Sequence, residues 1–419
     1  MRQSISMPAH SRNGAGTIPF ARPFIGKEEE DAVLRVLRSG WLTTDGEALA
    51  FEQEFAERLG RAAGTPLAAA AVSSGTGGLH LALEACGLRA GDVALVPAYT
   101  FAATAGAAVC LGAEVAFVDC AADSFLLDTD SLERTARRLA EGKTAYETGG
   151  PAGRPRVVVP VHFGGLCCDM GAVNETARRY GMSVVEDAAH AFPAYTETGE
   201  PAGTLGDAGV FSFYATKTIT SGEGGMVVSR NRDLINRVSL LRCHGIDRPV
   251  WNRYTGEKAS WYYEVVQAGY KYNLPDILAS IGRVQLRRAD ELLDKRKRIA
   301  ARYDAAFSGI PALSTPPASA GDARHLYPLR LNPPLAAVRD HCVRKLQDMG
   351  IGVSVHFIPL HKMPYYRKRY GLKDGDFPRA EDTYSRVISL PIWPGMTEEE
   401  TGRVIDSVFE LTGGKNPCL

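Results

Sequence analysis

A chain of 419 residues is long enough for two or three domains and a sizeable core. Lys+Arg and Asp+Glu each number 48, so the formal net charge is zero, with no bulk electrostatic drive toward nucleic acid or an anionic membrane. Hydrophobic residues at 45% and charged residues at 23% are those of an ordinary globular protein.

The opening stretch, "MRQSISMPAHSRNGAG", has no apolar segment of the secretory type. Residues 1–17 are expected to be an N-terminal extension. Strands are predicted at 68–72, 93–97, 115–119, 157–162, 183–187, 210–214 and 226–229. Helices are predicted between them at 78–86, 103–111, 130–140, 170–180 and 233–243. This alternation predicts an α/β fold with a mostly parallel sheet covered on both faces. The most apolar window, 98–118, is broken by two glycines and Glu114, and reads as loop, helix, turn and buried strand, not a membrane span. The Gly/Pro-rich stretch 142–155 reads as an exposed loop. After Trp251 the texture turns aromatic and irregular. A single long helix is expected from about Asp276 to Phe307. A strand near 326–331, a helix at 336–349, a strand at 352–357 and a last helix at 398–411 follow. The expected organisation is a large domain over 18–264, then an interdomain helix and a smaller C-terminal α+β domain over 265–419.

The eight cysteines form no CxxC pair, and the closest histidines, His356 and His361, enclose no carboxylate motif. A reduced cytoplasmic chain without a metal site is the expectation.

Three stretches carry candidate chemistry. "SSGTGGLHLAL" (Ser73 to Leu83) follows a strand and opens a helix. Free amides at a helix N-terminus attract phosphate, and glycines allow close approach; a plain tight turn is the competing reading. A dinucleotide fingerprint also begins with Gly75-Thr76-Gly77, but His80 stands at its third glycine and no acid ends a second strand at the required distance. "VVEDAAHA" (Val184 to Ala191) puts two acids at the end of a buried strand. Side chains alternate there, so one acid faces the site and the other faces away; a helix N-cap at Asp187 is the competing reading. "FSFYATKTITSGEGG" sets Lys217 between an apolar strand and a glycine turn, a setting that can desolvate an amine for Schiff-base chemistry; an exposed turn lysine is the competing reading, and the one an isolated lysine would favour. A phosphate cradle, the aromatic Phe101, a carboxylate and a lysine, in that order, supply the parts that pyridoxal phosphate requires.

With these motifs stand "SGWLTTDGEALAFEQEFA", "VPAYTFAATAGA", "VHFGG", "RCHGID", "GYKYNLPDILASIGRVQL", "GIGVSVHFIPLH" and "SLPIWPGMTEEE". Together they resemble the DegT/DnrJ/EryC1/StrS family of nucleotide-sugar aminotransferases. The resemblance implies a fold-type I, pyridoxal 5'-phosphate-dependent transferase in which Lys217 binds the cofactor and moves protons, and Asp187 pairs with the ring nitrogen. It implies that His190 lies near the phenolic oxygen, that Phe101 stacks on the ring, and that Gly75, Thr76 and Ser212 hold the phosphate. Lys271 or Asn273 would reach the phosphate of a neighbouring subunit in a homodimer. His325, His356 and His361 would lie on the substrate side. The implied reaction moves an amino group from L-glutamate to a nucleotide-linked 4-keto sugar, for surface polysaccharide, lipid A or glycan synthesis. "GYKYNL", "WYYEV" and "PYYRKRY" lean toward the branch making UDP-4-amino-4-deoxy-L-arabinose. Amination at a 3-keto position is an alternative. A dehydratase of the same fold would carry histidine at position 217, and a non-catalytic regulator would have lost Lys217 or Asp187. The chain departs from the family pattern at Gly77-Gly78, Thr218 and Pro275.

Overall fold

A computed structural model of the protein describes residues 16–247 and 262–413. Two helices precede the first strand: α1 (Lys27–Ser39) and α2 (Gly46–Ala63). Then β1 (Ala68–Val72), α3 (Gly75–Ala85), β2 (Asp92–Pro97), α4 (Ala102–Cys110), β3 (Glu114–Val118), α5 (Thr129–Ala140) and β4 (Arg154–Val158) alternate. They continue as α6 (Met170–Tyr180), β5 (Ser183–Asp187), β6 (Ala208–Ser212), β7 (Gly225–Ser229) and α7 (Arg232–Leu241). The seven strands form one sheet in the order β1-β7-β6-β5-β4-β2-β3. Only β7 runs antiparallel to its neighbours.

The period-2 pattern explains why the sheet is covered twice. Ala70, Val72, Ala94, Val96, Val157, Val185, Val210 and Val227 point into one core, beneath α3, α4 and α7. Their chain neighbours Ala71, Phe211, Met226 and Val228 point the other way, against α2. Val93, Leu95, Val158 and Val184 do the same against α5 and α6. Gly78 lets α3 lie close on the sheet, since a Cβ there would stand 2.8 Å from Val210 Cγ1 and 3.3 Å from Val72 Cγ2.

Beyond the sheet come α8 (Asp276–Arg287), α9 (Ala289–Phe307), β8 (Leu313–Ser314), β9 (Tyr327–Leu331), α10 (Arg339–Asp348), α11 (Pro364–Tyr370), α12 (Pro378–Arg386), β10 (Val387–Leu390) and α13 (Glu398–Thr412). A second, three-stranded sheet runs β10-β9-β8. It shares a core with α9, α10 and α13 built on Trp393, Tyr303, Tyr327 and Phe409.

The structure corrects several expectations. The helix expected over 276–307 is two helices, divided at Arg288, whose φ −93° and ψ 2° leave the helical range. The halves serve different partners: α8 packs on α1 and α2, and α9 packs on α13. The segment 352–357 is not a strand. Its backbone is divided among separate partners: Gly352 donates to Ile18 O at 2.7 Å, Ser354 exchanges bonds with Ser389, and Tyr99 Oη donates to His356 O. The fourth strand ends earlier than expected, ahead of Pro160, which has no N–H for a ladder. Neither α1 nor α2 is anticipated, although Glu29 Oε2 reaches back to accept from Gly26 N at 2.8 Å at the start of α1, and Phe51, Phe55 and Leu59 repeat at helical spacing in α2. Among the described residues, no helix is long and apolar enough to cross a membrane.

Candidate active site

The C-terminal ends of β1, β5 and β6 open on a cavity of about 440 Å³, lined also by residues from the second half of the chain. Doubly wound sheets carry ligands at this end. Gly75, Thr76, Phe101, Asp187, His190, Ser212, Lys217, His325 and His356 all line it.

The α3 N-terminus forms one wall. Ser74 caps the helix by accepting from Gly77 N at 3.0 Å. The amides of Gly75 and Thr76 find no acceptor among the described residues, as the first turn of a helix requires. Ser212 Oγ stands across from them; a Cβ on Gly75 would fall 2.9 Å from Ser212 Cβ. Beneath this cradle β7 approaches the same turn. A Cβ on Gly225 would lie 2.7 Å from Ser74 C, 2.8 Å from Gly75 N and 2.8 Å from Phe211 O. Because these neighbours are main chain, Gly225→Ala is expected to lower stability by about 1–3 kcal/mol, read as a lower urea midpoint at unchanged m.

Strand alternation sorts the two acids as expected. Asp187 is 5% exposed and faces the cavity, accepting from Thr104 Oγ1 at 2.8 Å and Ala189 N at 3.2 Å. Burial raises its pKa, against the lowering effects of those bonds and of Lys217. Glu186 points the other way into a closed set of donors: Gly203, Leu205 and Gly206 amides, and His162 Nε2 at 2.8 Å. The helix-cap reading of Asp187 therefore gives way to a cavity carboxylate.

Lys217 is half-buried and lines the cavity, with its amide bonded to Tyr214 O at 2.9 Å. Desolvation lowers its pKa to about 8; Asp187 pulls upward and Arg296 pushes further down. His190 accepts from Gly164 N at Nδ1 (3.3 Å), and its ring lies 4.5 Å from that of His325. Burial holds both well below the usual histidine range. His356 pairs with Ser389 Oγ at 2.9 Å, stacks on Phe20 and is pushed down to about 4, mainly by burial. Phe101 is 58% exposed at the rim, 5.6 Å from the Phe357 ring.

Three candidates lie off this cavity. His361 is buried against Glu381 Oε1 at 2.9 Å and packs on Phe377. Lys271 is exposed and donates to Asn273 Oδ1, while Asn273 donates to Thr44 Oγ1 at 2.6 Å. Sequence reasoning missed Phe20, Thr104, Tyr214, Glu223 and Phe357 in the lining. Thr104 had a signal: with Thr100 it makes a polar i, i+4 pair in an alanine-rich stretch, and their hydroxyls lie 3.0 Å apart. Among the described residues no cluster of His, Cys, Asp or Glu could hold a metal ion.

The family model described as the DegT/DnrJ/EryC1/StrS aminotransferase family matches residues 23–409. The chain is 40% identical over 402 residues to the spore coat polysaccharide biosynthesis protein SpsC of Bacillus subtilis, covering 95% of this chain and 97% of SpsC. Among solved structures it resembles the PMP-form of Spr1654 from Streptococcus pneumoniae, with a TM-score of 0.83 and 28% identity over 94% of this chain and 99% of that one. It also resembles the sugar aminotransferase CalS13 from Micromonospora echinospora, with a TM-score of 0.78 and 28% identity over 94% and 99% of the two chains. The α/β architecture, the cavity at its strand ends and a family match across most of the sequence agree: the chain belongs to the DegT/DnrJ/EryC1/StrS aminotransferase family.

Proposed function

We propose that this protein is a pyridoxal phosphate-dependent aminotransferase moving the amino group of L-glutamate to a nucleotide-linked 4-keto sugar. The observation that carries this reading is the convergence on one cavity of an amine with a depressed pKa, a buried carboxylate and a helix N-terminus whose Gly75 and Thr76 amides find no acceptor among the described residues.

The residues fit the cofactor. Gly75 and Thr76 amides and Ser212 Oγ would receive its phosphate, Phe101 its ring face, Asp187 its ring nitrogen and Lys217 its aldehyde. When bound, pyridoxal phosphate stores the amino group and accepts electron density released at the substrate carbon. Lys217 Nζ, whose pKa of about 8 leaves a minor but usable fraction uncharged at pH 7, would take the proton from the substrate carbon and deliver it to the cofactor carbon that receives the amino group, general acid–base work of about 10²–10⁴ in rate. Asp187, held by Thr104 and Ala189, would face the ring nitrogen of the bound cofactor and, as a carboxylate, favour its protonated form. His190 carries its proton on Nε2 in the neutral form, since Nδ1 accepts from Gly164, and so offers a donor to the phenolic oxygen. His325 and His356 line the substrate side as neutral hydrogen-bonding groups.

The test is spectral. Glutamate alone is expected to convert the bound cofactor to its amine form, and a nucleotide-linked 4-keto sugar to restore the aldehyde form, as covalent storage of the amino group requires. No spectral change at high glutamate rejects the donor, and restoration only by 3-keto sugars rejects the 4-position.

Lys271 and Asn273 enter the reading through a second copy. Lys271 is exposed and neither residue lines its own cavity, which fits a role in completing the phosphate site of a homodimer partner. Mixing Lys217→Ala with Lys271→Ala chains is then expected to restore activity in mixed dimers, because one site of the pair is intact. Mixed dimers that form without recovering activity place Lys271 outside the partner's site.

A further inference from the structure

Arg296 is a charged residue that the reaction scheme leaves unused. It is 2% exposed, in the middle of α9. A buried guanidinium ordinarily has a carboxylate beside it. Arg296 has no carboxylate partner among the described residues. Its Nη1 donates to Ile392 O at 2.9 Å and His325 O at 3.2 Å, and its Nη2 reaches Thr216 O at 3.4 Å. Its Nε has no acceptor.

All three acceptors belong to residues that line the cavity. They come from separate segments: the loop that carries Lys217, the stretch ahead of β9 that carries His325, and the chain after β10. One planar group thus joins three walls of the site from behind, which the fixed fork of a guanidinium can do and a lysine cannot.

We infer that Arg296 is a positioning residue, which braces these walls through their carbonyls and sets an uncompensated positive charge on the Lys217 side of the cavity. This rests on Lys217 being the reacting amine. The other charged or titratable groups facing the cavity around Lys217 are Asp187, Glu223, Tyr214, His190, His325 and His356. Of these, Asp187 favours the ammonium form of Lys217, while Arg296 opposes it. The three histidines are held neutral by burial, so Arg296 is the fixed cation that offsets Asp187. Without it the amine would protonate more readily, and less of it would be free to react at neutral pH.

The experiment uses the full-length protein after any bound cofactor has been removed, as checked by absorbance, so that Lys217 Nζ is free to react and is read independently of turnover. Acetic anhydride labelling of Lys217 is followed across pH by peptide mass in wild type, Arg296→Lys, Arg296→Gln and Arg296→Met, with folding checked by circular dichroism. Removing the charge is expected to raise the titration midpoint, so labelling at pH 7 falls about three- to tenfold in the Gln and Met variants. Arg296→Lys keeps the wild-type midpoint but reaches fewer carbonyls, so amide hydrogen exchange at Lys217 is expected to quicken at least about threefold. A folded Gln or Met variant that titrates like wild type overturns the electrostatic part, as does a midpoint in Arg296→Lys shifted like theirs. Unchanged exchange in Arg296→Lys overturns the brace. Failure of borohydride to fix the cofactor to Lys217 in wild type would instead reject the underlying assignment, and is scored separately.

Discussion

Lys217→Ala is expected to lower turnover by about 10⁴-fold or more, since in the proposed reaction one group both anchors the cofactor and moves the proton. Borohydride reduction of the loaded variant should leave no adduct on the 211–225 peptide, and a small primary amine added to solution should restore part of the proton transfer. The variant should also fold at least as well as wild type at pH 7. A lysine whose native pKa is depressed binds fewer protons folded than unfolded, so it costs stability below its native value of about 8, and the cost fades as pH rises toward the value in the unfolded chain. Alanine removes that cost. A variant that loses activity and also melts well below wild type would mean that Lys217 holds the loop together. One that keeps activity would move the chemistry to another amine.

How much of this was legible in the sequence depends on how local the signal is. Strands 68–72 and 183–187 match the structure residue for residue, because β-branched and alanine runs bounded by polar turns define a buried strand by themselves, whichever way its neighbour runs. The break at Arg288 was not legible, since it answers to two different packing partners and no proline or glycine marks it. The segment 352–357 reads as a strand, yet its hydrogen bonds go to Ile18, Ser389 and Tyr99, partners far away in sequence. At the site, Gly75, Thr76, Phe101, Asp187, His190, Ser212 and Lys217 share one cavity, because each sits at or just beyond a strand end that periodicity locates. Arg296 shows what remains hidden. In "DKRKRIAARY" several cations compete, and its place on the buried stripe with Leu292, Leu293, Ile299, Ala300 and Tyr303 is visible only once the helical register is followed.

Asp187→Asn isolates charge from shape. The amide can accept from Ala189 N and donate toward Thr104 Oγ1, so the two contacts of 3.2 and 2.8 Å survive and stability is expected to stay within about 1 kcal/mol. The sign of any change is set by the raised pKa of the buried carboxylate. A carboxyl group with a native pKa above its unfolded value binds more protons folded than unfolded, so its ionised form costs stability once pH exceeds the unfolded value. The amide lacks that cost, and without cofactor the variant should be at least as stable as wild type at pH 8. Catalysis should move the other way. A buried negative charge opposite the ring nitrogen favours its protonated form; an amide does not. Both half-reactions are therefore expected to slow by about 10²–10⁴-fold, while the cofactor is still held at Lys217 and the phosphate cradle. The neighbouring acid cannot substitute, because Glu186 faces away and its oxygens are taken by Gly203, Leu205, Gly206 and His162. Near-normal rates in the variant would therefore mean that no carboxylate serves the ring nitrogen in this enzyme. A loss of cofactor binding with intact folding would mean that Asp187 acts in binding and not in the chemical step.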